Sequence, residues 1–374
     1  MFVQKHLFHT PKLDLDVATS IPVTVGYETY GQLNPARDNA ILICHPFSAS
    51  SHAAGRYNAD DPSPGWWDPL IGPGKAFDTD RFFIVAVDSL CNLGVRSPMV
   101  VTTGPATVNP ETGRPWGTEF PQVTMRDNVR LQYQLLCSLG IERLAAVAGP
   151  GTGGFQALEW AVTYPDMVSR VIAVASAPQS PPVFSLAVCQ AGIDAITSDP
   201  AYKGGQYYDG EGPTAGLTRA AFLLSTLVRS DAWIGENWER KTAKGSMHPR
   251  ADRDGRFAFQ AGMEQLAQEW ARGCDANHFV YSARAALLHD IGYGNRGMEV
   301  AAQMIRAHLL LMPVAGDLLF PPHASRQLAD LVNQHGGRAE VAPVESDNGH
   351  TGALQDCLCL SEPITRFLRR EEMH

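Results

Sequence analysis

The chain has 374 residues, 44% of them hydrophobic, enough to bury a large core as one domain or as a domain with an insertion. A formal charge of −9 and the absence of any basic run exclude a nucleic-acid partner, and no apolar stretch approaches the ~20 residues of a membrane span. The N-terminal MFVQKHLFHT lacks a signal peptide's continuous apolar segment, and seven scattered cysteines fit reduced thiols, so a cytoplasmic protein is the expectation.

In chain order, the alternating run from Val23 to Gly31 suits an early edge strand. Ala40-Ile41-Leu42-Ile43-Cys44 is a continuous apolar run, suited to a strand buried on both faces. It leads into the loop His45-Pro46-Phe47-Ser48-Ala49-Ser50-Ser51-His52. No third ligand completes a metal site around His45 and His52, and none completes Cys357-x-Cys359. A second buried strand follows at Phe82–Asp88. The segment 89–120 is long, rich in Gly, Pro and Thr and without periodicity, the mark of a functional loop. Val129, Leu131 and Leu135 predict a helix over 124–139.

At the centre of the chain, Leu144–Ala148 is a short strand, Gly149-Pro150-Gly151-Thr152-Gly153-Gly154 a tight turn, and the residues through Trp160 a helix. Strand, glycine turn and helix are the setting of a nucleophile elbow, G-x-S-x-G, with Gly149 and Gly153 as its outer glycines and Gly151 where the serine should be. A phosphate-binding turn is the competing reading. It lacks the Lys-Ser/Thr pair of a P-loop, and although Gly149, Gly151 and Gly154 match G-x-G-x-x-G formally, the turn sits mid-chain, without an acidic residue at the required distance.

Val171–Ala175 is a further strand, and the β-loop-α alternation predicts a parallel, doubly wound sheet. From 181 to about 308 the sequence reads as helix after helix, with linkers at 207–212 and 241–255. The expected organisation is therefore a core of 1–180 and 301–374 with a helical lid at 181–300. The α/β pattern resumes at 309–315, followed by Asp317, a helix over 322–334, a short strand at 340–343, Gly349-His350 and a closing helix. In the α/β-hydrolase fold the nucleophile, acid and histidine follow in this chain order, which gives Asp317 and His350 the parts of acid and base. Taken singly, Asp317 reads as a helix cap and His350 as a loop residue; their joint placement with the elbow favours the relay.

These motifs resemble the homoserine O-acetyltransferase family over nearly the whole chain. The resemblance is carried by Gly65-Trp66-Trp67-Asp68, Leu70-Ile71-Gly72-Pro73-Gly74-Lys75, Thr79-Asp80-Arg81-Phe82, Gly104-Pro105, Asn109-Pro110 and Gln156-Ala157-Leu158-Glu159-Trp160. It continues in Asp275-Ala276-Asn277, Asp317-Leu318-Leu319-Phe320-Pro321-Pro322 and Gly349-His350. It implies two-step acyl transfer from acetyl-CoA to a small-molecule acceptor, with no tightly bound cofactor or metal. It further implies oxyanion-hole amides at Phe47 and Thr152, substrate-binding positions at Ser48, Ala221 and Thr351, and a homodimer formed through the lid.

The departures fall at functional positions. Gly151 replaces the serine, Ala221 stands where the family's carboxylate-binding arginine aligns, and Thr351 stands where an acidic residue often follows the histidine. Arg219 lies two residues from Ala221, roughly 200° round a helix, and is a poor substitute. The loop 90–101 also differs. Homoserine is therefore not the expected acceptor. Three readings follow: an acyltransferase or esterase with a substituted nucleophile, a non-covalent hydrolase or lyase using the Asp317–His350 base, and a non-catalytic ligand-binding protein. Thr152, one residue past the apex, points away from a nucleophile's position, and Cys44, Cys91 and Cys189 have no neighbouring histidine motif.

Overall fold

The structure, a computed structural model, describes residues 1–369. Eight strands form one sheet: β1 (His6–Leu13), β2 (Ile21–Tyr30), β3 (Ala40–Cys44), β4 (Phe83–Val87), β5 (Leu144–Pro150), β6 (Arg170–Val174), β7 (His308–Met312) and β8 (Ala339–Val341). Their spatial order is β1-β2-β4-β3-β5-β6-β7-β8. The first two pairings, β1 with β2 and β2 with β4, are antiparallel; from β4 onward the sheet is parallel. The five-residue strand β3 is buried throughout because both faces of the sheet are covered, which is why it reads as a continuous apolar run. One apolar cluster lies on each face, the larger around Phe155, Trp160 and Leu136 and the smaller around Trp67, Phe77 and Ile172.

The run at 23–31 is not an edge strand. β1 pairs outside it, with Phe8 opposite Val25 and His6 opposite Tyr27. β1 itself is mostly exposed and mixes His, Lys and Pro with few apolar residues, so it carries no period that betrays a strand.

Helix α1 (Met125–Ser138) is started by a capping box in which Thr124 accepts from Asp127 N–H and Asp127 accepts from Thr124 N–H. It delivers the chain to β5, and α2 (Thr152–Thr163) leaves that strand. Between β6 and β7 no strand joins the sheet among the described residues. The chain instead runs through a π-helical stretch (Phe184–Gln190) into α3 (Ala191–Thr197), then α4 (Thr214–Leu227), α5 (Asp231–Asn237), α6 (Ala258–Arg272), α7 (Ala276–Leu287) and α8 (Met298–Met304). α4 packs between α3 and α6. The segments 207–212 and 241–255 are irregular, as their composition predicts, whereas α5 and α8 are too short to show a period. After β7 come α9 (Pro322–Gln334), β8 and the closing helix α10 (Ser361–Arg369).

The segment 89–120 ties the helical insertion to the sheet. His278 Nδ1 lies 2.8 Å from the Asn92 carbonyl and its Nε2 accepts from Ala106 N–H, while Tyr281 O–H donates to the Phe120 carbonyl. The Asp275 carboxylate caps α7 and receives the hydroxyls of Tyr207 and Tyr208. Asp275-Ala276-Asn277 thus serves as a joint inside the insertion.

Candidate active site

The turn from β5 into α2 is shaped by the strand beside it. A Cβ on Gly153 would lie 2.1 Å from the Cys44 carbonyl oxygen, and one on Gly149 would lie 2.6 Å from the same atom. The end of β3 therefore leaves room only for glycine at these two positions. Gly151 differs. It sits at φ +54° and ψ −121°, a conformation that side-chain-bearing residues rarely adopt. Its N–H donates to the Val174 carbonyl at 2.9 Å, and its carbonyl accepts from Gly154 N–H and the Ser176 hydroxyl. A Cβ built there meets no backbone. Its nearest neighbour is His350 Nε2 at 3.0 Å, followed by His350 Cε1 at 3.4 Å.

His350 stands on a short 3₁₀ turn (Gly349–Thr351) after β8. Its Nδ1 lies 2.7 Å from Asp317 Oδ2. The other oxygen, Asp317 Oδ1, accepts from the N–H groups of Leu319 at 2.9 Å and Phe320 at 3.0 Å. Asp317 thus both caps its own turn and fixes the imidazole; the two readings of this residue are compatible. With Nδ1–H donated to the carboxylate, Nε2 is the basic nitrogen, and it faces Gly151. The Phe320 ring stacks on the imidazole at 4.8 Å. The histidine loop is also held from the insertion: Thr351 N–H donates to the Val228 carbonyl at 3.0 Å, and the Ser230 hydroxyl donates to the Asp347 carbonyl.

A cavity of about 260 Å³ opens in front of this pair. Phe47, Ser48, Thr152, His350 and Thr351 line it, so the structure brings these sequence-derived positions together. Ala221 is not among them. It is fully buried in the core on α4, one turn before Leu224 and Ser225, which do face the cavity. Phe184, Trp270 and Arg229 also line it and were not singled out in the sequence. Aromatics in an insertion read as core, and a lone arginine at a helix end reads as a partner of the dipole. No residue of the expected functional loop 89–120 lines the cavity.

His45 is locked in place beneath the cavity. Its Nδ1 is 2.8 Å from the Pro46 carbonyl and its Nε2 accepts from Ser89 N–H, while burial pushes its pKa down, so the ring is neutral. It shapes the Phe47 loop. Burial raises the thiol pKa of Cys44, Cys91 and Cys189, the last to about 12, which keeps them protonated and poorly nucleophilic. Among the described residues no His, Cys, Asp and Glu cluster could hold a metal.

The strand order, the glycine turn at the sheet's centre and an acid and a histidine after successive later strands define an α/β hydrolase. The family described as the α/β hydrolase fold matches residues 39–354. The homoserine O-acetyltransferase of Symbiobacterium thermophilum is 42% identical over 351 residues, covering 94% of this chain and 90% of that protein. That of Deferribacter desulfuricans is 38% identical over 93% of this chain and 90% of its own length. The crystal structure of homoserine O-acetyltransferase from Bacillus anthracis superposes with a TM-score of 0.96 at 40% identity, covering 99% of both chains. An esterase crystal structure superposes with a TM-score of 0.93 at 36% identity, covering 98% of this chain and 100% of that one. The chain belongs to the homoserine O-acetyltransferase family of α/β hydrolases.

Proposed function

We propose that this chain binds an acylated small molecule in the cavity before His350, with Asp317–His350 as general base, and that Gly151 deprives it of the family's serine-acylation step. One observation carries the reading: the basic Nε2 of a carboxylate-oriented histidine points at Gly151, 3.0 Å from where its Cβ would stand. In the chain as it stands, His350 takes the proton from a bound hydroxyl or water. That oxygen attacks the acyl carbonyl directly, and the imidazolium returns the proton to the leaving group. General-base action alone contributes about 10²- to 10⁴-fold. The amides of Phe47 and Thr152 are the oxyanion donors. Thr152 opens α2, where a helix leaves its N–H groups without intrahelical partners and carries partial positive charge. The segment 181–300 acts as the lid and as a homodimer surface, acetyl-CoA is the acyl donor in the family pattern, and the setting is cytoplasmic.

The acceptor is not homoserine. Supporting this, the position of the family's carboxylate-binding arginine is Ala221, buried off the cavity, and Thr351 spends its hydroxyl on the Asn348 carbonyl at 2.7 Å instead of offering a carboxylate to an amine. Installing the serine makes the point measurable. A Gly151→Ser chain loaded with acetyl-CoA is expected to release acetate at a rate that added homoserine does not raise. Accumulation of O-acetylhomoserine faster than acetate would restore homoserine as the acceptor.

A further inference from the structure

Arg229 follows the last turn of α4, and its guanidinium carbon lies over the Trp233 ring, 3.6 Å from the centroid. Its Nε and Nη1 are buried with no hydrogen-bond partner among the described residues. Burial pulls its pKa below the usual guanidinium value. The backbone on either side is clamped: Val228 and Ser230 bond the histidine loop, and a Cβ on Gly349 would lie 2.8 Å from Ser230 N and 3.0 Å from the Arg229 carbonyl carbon. The backbone that carries Arg229 is thus fastened to the loop that carries His350, and both side chains line the same cavity. The described lining holds no carboxylate and no other Lys or Arg. A half-buried cation with no counter-charge in its cavity is unfavourable, and a guanidinium is a planar fork that matches a carboxylate.

We propose that Arg229 is the carboxylate-binding residue of this cavity, so that the substrate is an ester or acyl compound carrying its own carboxylate. The proposal rests on reading the cavity as an acyl site. Trp233 holds the guanidinium at the cavity wall, where a carboxylate supplies the counter-charge that the lining lacks. Phe184, Trp270 and Phe320 supply an apolar wall for the remainder of the ligand.

Gly151 prevents an acyl-enzyme, so binding is read on the chain as it is, with acetate release followed in the same samples to subtract any hydrolysis of the probe by the His350 base. The probes are acetoxyacetate and its uncharged methyl ester, titrated calorimetrically. Acetoxyacetate is expected to bind about 10- to 100-fold more tightly, the range of a charge-assisted pair. In Arg229→Met the ratio is expected to fall to near one, and Arg229→Lys, which keeps the charge and loses the fork, is expected to lie between. A ratio near one in the unaltered chain overturns the proposal, as does a ratio that survives Arg229→Met or no binding of acetoxyacetate. Should Arg229→Met not fold, Arg229→Lys decides: an unchanged ratio overturns the proposal. Hydrolysis of p-nitrophenyl acetate, which has no carboxylate, by Gly151→Ser reports separately on the acyl site. Its failure beside an intact carboxylate preference would remove the acyl reading and leave the arginine's role standing.

Discussion

Gly151→Ser is expected to hydrolyse p-nitrophenyl acetate about 10³- to 10⁶-fold faster than the unaltered chain, the scale on which a triad nucleophile contributes to turnover. A carboxylate–imidazole pair stands at the position. Asp317 holds His350 at 2.7 Å, Nε2 faces the turn, and the nearest neighbour of a Cβ at residue 151 is that imidazole, with Pro46 Cβ next at 4.0 Å. At 3.0 Å the contact is tight, so the ring must give by a few tenths of an ångström, which a side chain can do and a backbone cannot. A serine at φ +54° is strained by about 1 kcal/mol or somewhat more, so the variant is expected to be slightly less stable while far more active. Adding His350→Ala to it is expected to remove nearly all of the gain. A stopped assay of the three chains reads all of this. Equal rates for the unaltered chain and the serine variant, both folded, would mean that the relay does not serve residue 151.

Gly153→Ala is expected to cost about 3 kcal/mol of stability or more, although alanine is the better helix former. Its Cβ would enter the space of the Cys44 carbonyl oxygen at 2.1 Å and approach the Cys44 carbonyl carbon at 2.8 Å and the His45 carbonyl oxygen at 3.0 Å. All three atoms are backbone at the end of β3, which pairs with β4 on one side and β5 on the other and cannot withdraw. Gly235→Ala in α5 is the control. Nothing lies within 4 Å of its Cβ position, so there the helix propensity is free to act and a gain of about 0.5–1 kcal/mol is expected. Urea unfolding of both variants measures the difference. A Gly153→Ala chain as stable as the unaltered one would show that the close approach of β3 to α2 is wrong.

The sequence was most legible where one residue's chemistry forces one geometry. Glycines at 149 and 153 are demanded by a strand's carbonyl, and buried apolar runs at 40–44 and 171–175 are demanded by a sheet covered on both faces. Asp317 and His350 were legible through chain order because each lies in the loop after one of the last two strands. β1 was not, since a half-exposed edge strand needs no apolar period. Neither was the part played by 89–120: length and composition mark a loop, but the hydrogen bonds that make it a tie between sheet and insertion join residues more than 150 apart. Arg229 was hidden for a similar reason. In sequence it ends an apolar helix, and only packing against Trp233 and the histidine loop leaves its donors buried and unpaired.

The most direct test of the central claim is the intact mass of the unaltered and Gly151→Ser chains after incubation with p-nitrophenyl acetate and with acetyl-CoA, followed by location of any adduct on the chain. The predicted result is a single acetyl adduct at residue 151 of the serine variant and none on the unaltered chain. An adduct on the unaltered chain, at Thr152 or a cysteine, would contradict it, as would a folded serine variant that takes up no acetyl group from either donor.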